Sequence, residues 1–214
     1  MKTYEDLLKD TENTLDCPDD KNVPWLDTKY VGGEKVEHYI VWGNEKVVFI
    51  KAGAGGSARG FQDKYIKMAE RIHGRIGATV ICASNPDVTH EEQDEKEIRW
   101  VIGERGFVDF ELYFVGVSDG AYKNFSLVKK FPQTVKLLGI NSSYITVAGL
   151  IEELKSLPNI EKILICGTKD IDSMAYVEPI QKAAIPKLKI QLVEGADHNF
   201  IGMLDEFISL SEIL

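Results

Sequence analysis

At 214 residues with an ordinary apolar fraction, the chain has the length of one α/β domain and no room for a large accessory one. A net charge of −9 makes nucleic acid a poor partner. The N-terminal MKTYEDLLKDTENTL carries acids where a signal peptide needs an apolar core, and no later stretch approaches the length of a membrane span, so an acidic cytoplasmic protein is the expectation.

Residues 1–27 open with a short amphipathic helix bearing Tyr4, Leu7, Leu8 and Leu15, then break up through Cys17-Pro18-Asp19-Asp20 and Pro24-Trp25. They read as a packing extension of a single domain spanning 1–214, with Trp25 as a surface-covering anchor. From Lys29 to Ile50 short runs are divided by Gly32-Gly33 and Gly43-Asn44, which read as hairpin turns. Val36, His38, Ile40 and Trp42 alternate with Glu37, Tyr39 and Val41, which makes His38 an ordinary strand side chain in an antiparallel start to a sheet.

Lys46 to Lys51 is a central strand running into Ala52-Gly53-Ala54-Gly55-Gly56-Ser57-Ala58-Arg59-Gly60. So many glycines suit close approach of backbone to a ligand. A phosphate cradle is one use, but the Walker lysine and hydroxyl are missing. The stronger reading is one half of an oxyanion hole. The following helix carries Phe61, Tyr65, Met68, Ala69 and Ile72 on one face and closes at Gly74, with His73 as a favourable charge in its last turn. Ala78 to Cys82 is the next strand, ended by Asn85-Pro86. Thr89 and Glu92 form a capping box before a helix whose acidic run, Glu91 to Glu97, reads as a solvated face; His90 at its start has no evident partner.

Glu111 to Phe125, ELYFVGVSDGAYKNF, is the centre of the chain. A β-branched and aromatic run passes into Gly116-Val117-Ser118-Asp119-Gly120, and Ala121, Phe125, Val128 and Phe131 follow at helical spacing, stopped by Pro132. A G-x-S-x-G at a strand-to-helix turn holds its serine in strained geometry with the hydroxyl above the sheet, while backbone N–H groups of the helix start favour a developing negative charge. Val135 to Ile140 is a further strand ending in Asn141-Ser142-Ser143-Tyr144. Val147, Ile151, Leu154 and Leu157 make a short helix, the one segment suited to be a lid. Lys162 to Cys166 is a strand delivering Gly167-Thr168-Lys169-Asp170-Ile171-Asp172. The last strand, with Leu188, Ile190 and Leu192, runs into Glu194-Gly195-Ala196-Asp197-His198-Asn199-Phe200, and an amphipathic helix finishes the chain. Such alternation specifies a mostly parallel sheet with right-handed crossovers. Cys17, Cys82 and Cys166 are odd in number and far apart, with the latter two inside apolar runs, so no redox, metal or cofactor role follows.

Ligands of such a sheet bind at the carboxyl ends of its strands, where the glycine loop, Ser118, Asp170 and His198 all fall. A serine hydroxyl needs a base, histidine suits that task, and histidine needs an acid to fix its tautomer. The chain supplies them in the order Ser, Asp, His.

With these residues the sequence resembles the α/β-hydrolases over nearly all of 30–214, the GVSDG elbow, GTKD acid loop and GADHNF histidine loop lying in register. The resemblance implies an α/β-hydrolase fold, a mostly parallel central sheet flanked by helices without a large cap domain. It implies Ser118 as nucleophile, His198 as general base and acid, and Asp170 as orienting carboxylate. Asp172 is the alternate acid, and Asp170 is favoured because the family usually puts its acid soon after the strand-ending glycine; Asp197 tunes the histidine loop. Ala52-Gly53-Ala54-Gly55-Gly56 stands where hydrolases often carry His-Gly-x-Gly-Gly. The oxyanion donors expected from this are the backbone amides of Ala54, with Gly55 as its competitor, and of Asp119. Only about 50 residues separate Ser118 from Asp170, which leaves the site open and shallow, similar to small carboxylesterases, thioesterases and dienelactone-hydrolase-like enzymes. The expected substrate is a small ester or thioester. Alternatives are a hydrolase-fold binding or scaffolding protein without turnover, and an acyltransferase using the same three residues.

Overall fold

The structure is a computed structural model that describes residues 20–31, 33–86, 91–144 and 146–214, without the side chain of residue 91. Eight strands and six α-helices are present among these residues: β1 (Trp25–Val31), β2 (Glu34–Val41), β3 (Asn44–Lys51), α1 (Lys64–Ile76), β4 (Ala78–Ala83), α2 (Glu91–Arg105), β5 (Glu111–Val117), α3 (Asp119–Lys130), β6 (Thr134–Ile140), α4 (Val147–Lys155), β7 (Glu161–Gly167), α5 (Ile171–Lys182), β8 (Leu188–Val193) and α6 (Leu204–Ser209). The strands form one sheet in the order β1-β2-β4-β3-β5-β6-β7-β8. β2 is antiparallel to both β1 and β4, and every pair from β4 to β8 is parallel.

Strand periodicity divides the core. Val48 and Ile50 of β3 and Val80 and Cys82 of β4 face α1 and α6, where they meet Tyr65, Met68, Ile72 and Phe207. Their neighbours Val47, Phe49 and Ile81 face the other layer, meeting Ile98 of α2, Phe125 and Val128 of α3, Leu150 and Leu154 of α4, and Ile180 of α5. Both faces of the central strands are therefore buried, which is why they read as continuous apolar runs. With Leu150 and Leu154 inside that core, α4 is a crossover helix packed on the sheet, and the expectation that it could act as a lid is not met.

Several expectations need correction. Gly43-Asn44 is not a hairpin turn, because β4 lies between β2 and β3. Glycine stands at 43 because a Cβ there would lie 2.2 Å from the carbonyl oxygen of Gly77, where the chain crosses the start of β4. The helix expected to close at Gly74 continues to Ile76, and its left-handed cap is Gly77 (φ 67°). Phe61 lies in a 3-10 turn before α1 and is exposed. The expected N-terminal helix, Cys17, Thr89 and His90 lie outside the described residues.

The acidic run of α2 is the largest departure. Asp94 and Glu97 are buried, although Glu92 and the partly buried Glu95 do meet solvent. Lys51 Nζ lies 2.6 Å from Asp94 Oδ2 and donates to the Ser84 carbonyl at 2.7 Å. His38 Nε2 lies 3.0 Å from the other Asp94 oxygen, so His38 is the buried partner of an acid as well as a strand residue. Lys29 Nζ reaches Glu97 Oε2 at 2.7 Å and also contacts Asp27. This network ties α2 to β1, β2 and β3. Burial acts to raise the Asp94 carboxyl's pKa, but the Lys51 ammonium and His38 outweigh it and hold Asp94 below the usual carboxylate range. Burial pulls the Lys51 ammonium down and pushes the Glu97 carboxyl up.

Removing one partner of such a pair strands the other charge in the core. Asp94→Ala is expected to cost about 3–5 kcal/mol in urea unfolding at neutral pH, and Asp94→Leu combined with Lys51→Met to recover most of it. A carboxyl with a lowered folded pKa contributes stability above its unfolded pKa and loses it as the pH falls through the folded value. The deficit of the single variant should therefore narrow only in acid.

Candidate active site

Strand register assembles the site. Lys51 of β3 pairs with Gly116 of β5, so Ala52 and Gly53 emerge beside Val117 and Ser118. Val117 pairs with Ile140 of β6, and Gly167 of β7 with Val193 of β8. Parallel strands ending together bring the loops that follow β3, β5, β6, β7 and β8 to one edge of the sheet.

At the centre of that edge Ser118 has φ 53° and ψ −124°, a conformation rarely adopted by a residue with a side chain. It is enforced by crowding on both sides. A Cβ at Gly116 would lie 2.3 Å from Cα of Ala121, and one at Gly120 would lie 2.2 Å from the Ala52 carbonyl oxygen. Only glycine lets α3 start so close to the ends of β5 and β3. The Ser118 N–H donates to the Ile140 carbonyl at 2.9 Å and its carbonyl accepts from Ser143 at 3.2 Å, which leaves the side chain to project from the turn.

His198 Nε2 lies 2.9 Å from Ser118 Oγ, and His198 Nδ1 lies 2.9 Å from Asp170 Oδ2. A carboxylate oxygen can only accept, so the proton sits on Nδ1 and leaves Nε2 to accept from the serine hydroxyl. Asp170 occupies the N-cap of α5 yet makes no side-chain cap bond, its carboxylate being turned to the imidazole instead. Asp170 is 5 % exposed, whereas Asp172 in the first turn of α5 faces solvent. Of the two acids, Asp170 is the one brought to His198. Asp197 Oδ1 accepts from the backbone N–H groups of Asn199 and Ile201, both at 3.0 Å, and so shapes the turn that carries the histidine.

The glycine loop lies alongside. A Cβ at Gly53 would meet Ser118 Cβ at 3.4 Å, ordinary contact distance. Gly56 N–H donates to the Gly53 carbonyl at 2.9 Å, closing a turn around Ala54 and Gly55, both exposed. Asp119 is the first residue of α3, where a backbone N–H has no partner within the helix.

Asn141 is a residue that composition and spacing did not single out. Fully buried, it donates from Nδ2 to the carbonyls of Asp197 at 3.0 Å and His198 at 3.1 Å. Its Oδ1 accepts from Gly167 N–H at 2.8 Å and Ser173 Oγ at 3.3 Å. All the bonding capacity of one amide is spent joining the acid loop to the histidine loop. An asparagine at the end of a strand is the only sequence signal it leaves, and strand-ending turns commonly carry one.

His198, Ser118 and Asp170 offer no dense set of metal ligands. Asp27, His38 and Glu97, at the antiparallel end of the sheet, present ligand atoms within 4.8 Å of one another. The Lys29 ammonium bridges the two carboxylates and already supplies the positive charge there. No helix of the described residues is long and apolar enough to cross a membrane.

Asn141→Ala leaves the Gly167 N–H and the two loop carbonyls without their partner. Stability is expected to fall by about 1–3 kcal/mol in urea unfolding with an unchanged m-value; a loss below about 0.5 kcal/mol would contradict the role given to this amide.

No protein-family model matches the sequence, and a search of curated proteins finds no match. Solved structures do match. Est1E from Butyrivibrio proteoclasticus aligns over 88 % of this chain and 96 % of its own with TM-score 0.67 at 11 % identity. A dienelactone hydrolase from Anabaena variabilis covers 90 % and 97 % with TM-score 0.63 at 17 % identity, and a thioesterase domain from the curacin biosynthetic pathway covers 90 % and 99 % with TM-score 0.63 at 14 % identity. The eight-stranded sheet, its order and its flanking helices, with no cap domain inserted between strands among the described residues, give this chain the α/β-hydrolase fold.

Proposed function

We propose that the protein is a serine hydrolase cleaving small ester or thioester substrates through an acyl-enzyme on Ser118. The observation that carries this reading is the unbroken hydrogen-bonded chain from Ser118 Oγ through the His198 ring to Asp170, each link 2.9 Å long. Structural neighbours described as an esterase domain from Rhodothermus marinus, a dienelactone hydrolase and a thioesterase domain support the same class of reaction.

Ser118 Oγ attacks the substrate carbonyl carbon as its proton passes to His198 Nε2. Asp170 keeps the ring oriented and stabilises the imidazolium that forms. The tetrahedral oxyanion is held by the backbone N–H groups of Ala54 and Asp119, with Gly55 the alternative donor in the glycine loop. As the C–O or C–S bond breaks, the leaving group takes the proton from Nε2. Water then attacks the acyl-enzyme and gives one proton to Nε2, Ser118 Oγ recovers that proton as the C–O bond to the serine breaks, and the carboxylic acid product departs, losing its remaining proton to solvent. His198, its side chain 38 % exposed, gives water direct access for this second half-reaction.

A fluorophosphonate probe tests the assignment, since Ser118 Oγ displaces fluoride from phosphorus by the same activated attack. One label per chain is expected on Ser118, with none on Ser118→Ala and none on His198→Ala over the same interval. Hydrolysis of p-nitrophenyl esters or thioesters of graded chain length should show the same dependence. Folded protein that neither labels nor hydrolyses any of them would mark a binding module, and product formed only with an added alcohol or amine would mark an acyltransferase.

A further inference from the structure

We propose that Asn85 is the positioning residue of the oxyanion hole, its side chain and its backbone N–H together setting both backbone donors. This inference rests on the hydrolase reading above. Asn85 follows β4 in the loop facing the glycine loop, is 1 % exposed, and forms an isolated antiparallel bridge with Gly56. Its Nδ2 donates to the Ala52 carbonyl at 3.0 Å and to the Asp119 carboxylate at 3.0 Å. Its Oδ1 accepts from Lys123 Nζ at 2.6 Å, and its own backbone N–H donates to the Gly56 carbonyl at 2.7 Å.

Those four bonds grip the two halves of the hole. Ala52 and Gly56 are the two ends of the loop whose middle offers Ala54 N–H. With the Ala52 end pinned by the Asn85 side chain, the Gly56 end by the Asn85 backbone N–H, and Gly56 N–H on the Gly53 carbonyl at 2.9 Å, the Gly53–Ala54 peptide plane is fixed. Because that peptide is trans, the Ala54 N–H points opposite to the Gly53 carbonyl and so away from Gly56. The second half is Asp119, whose carboxylate is drawn to Asn85 Nδ2 while its backbone N–H stays at the helix start.

Charge gives the same contact a second effect. An aspartate immediately after the nucleophile brings a negative group near the place where negative charge develops, which opposes the transition state. Asn85 holds that carboxylate to one side, and Lys123 Nζ, 3.3 Å from Asp119 Oδ2, balances its charge. Asn85 touches no reacting atom; it acts through Ala54 and Asp119.

Removing a single oxyanion donor outright typically lowers the rate about a hundredfold to a thousandfold, so misaligning donors that remain present should cost less, about tenfold to a hundredfold in kcat. Asn85→Ala is expected to show that fall with KM changed less than about threefold, and to slow fluorophosphonate labelling of Ser118 by a similar factor, since the attacked phosphoryl oxygen uses the same donors. A double-mutant cycle adds a readout that a merely structural role would not move. In an Asp119→Ala background, which keeps the backbone N–H and deletes the carboxylate, the loss caused by Asn85→Ala should shrink at least threefold. Should Asn85→Ala not fold, the isosteric Asn85→Asp, which sets a carboxylate against Asp119 and the Ala52 carbonyl, is expected to lose at least as much kcat. A folded Asn85 variant with kcat and labelling rate within threefold of the wild type, or losses identical in both backgrounds, overturns this inference and leaves the hydrolase reading standing. Wild-type protein inert to both ester and probe overturns the two together.

Discussion

Everything at the carboxyl edge of the sheet depends on how near the first turn of α3 comes to the end of β3. The Ala52 carbonyl oxygen occupies the space that any side chain at 120 would need, so the helix can begin there only on a glycine. That contact sets the height of the elbow above the sheet, the left-handed torsion of Ser118, and the distance between the serine and the glycine loop. Parallel pairing of β3 with β5 then makes the contact unavoidable, because Lys51 and Gly116 are register partners and the chain has only two residues in which to turn.

Two buried asparagines hold the loops around this elbow. Asn141, after β6, joins the acid and histidine loops, and Asn85, after β4, joins the glycine loop to the start of α3. A primary amide carries two donors and an acceptor on one rigid plane, which suits it to bridging backbone groups of unlike polarity where water is excluded. The side chains that would do chemistry thus sit on loops, while the geometry of those loops is set by amides anchored at strand ends.

Much of this was legible in the sequence, since local pattern carried it. The glycines at 116 and 120, the apolar run before them and the helical spacing after them define the elbow within one stretch, and strand-ending loops in the order Ser, Asp, His define the rest. Misreadings arose where the deciding contact is distant in the chain. Asp94 and Glu97 look solvated within α2, and only Lys51 and His38 on β3 and β2, with Lys29 on β1, turn them inward. Gly43 resembles a hairpin glycine, and only the passage of Gly77 across it reveals a crossing point. Asn85 and Asn141 look like ordinary turn residues, because an amide's partners leave no spacing pattern to read.

The torsion imposed on Ser118 sets the protein's robustness against its reactivity. Glycine would relax that residue, so the position rewards loss of the very hydroxyl to which the proposed turnover is assigned. Variants recovered by screening for heat resistance alone should therefore drift toward inert elbows, and lasting thermal gains that preserve chemistry must come from elsewhere in the molecule.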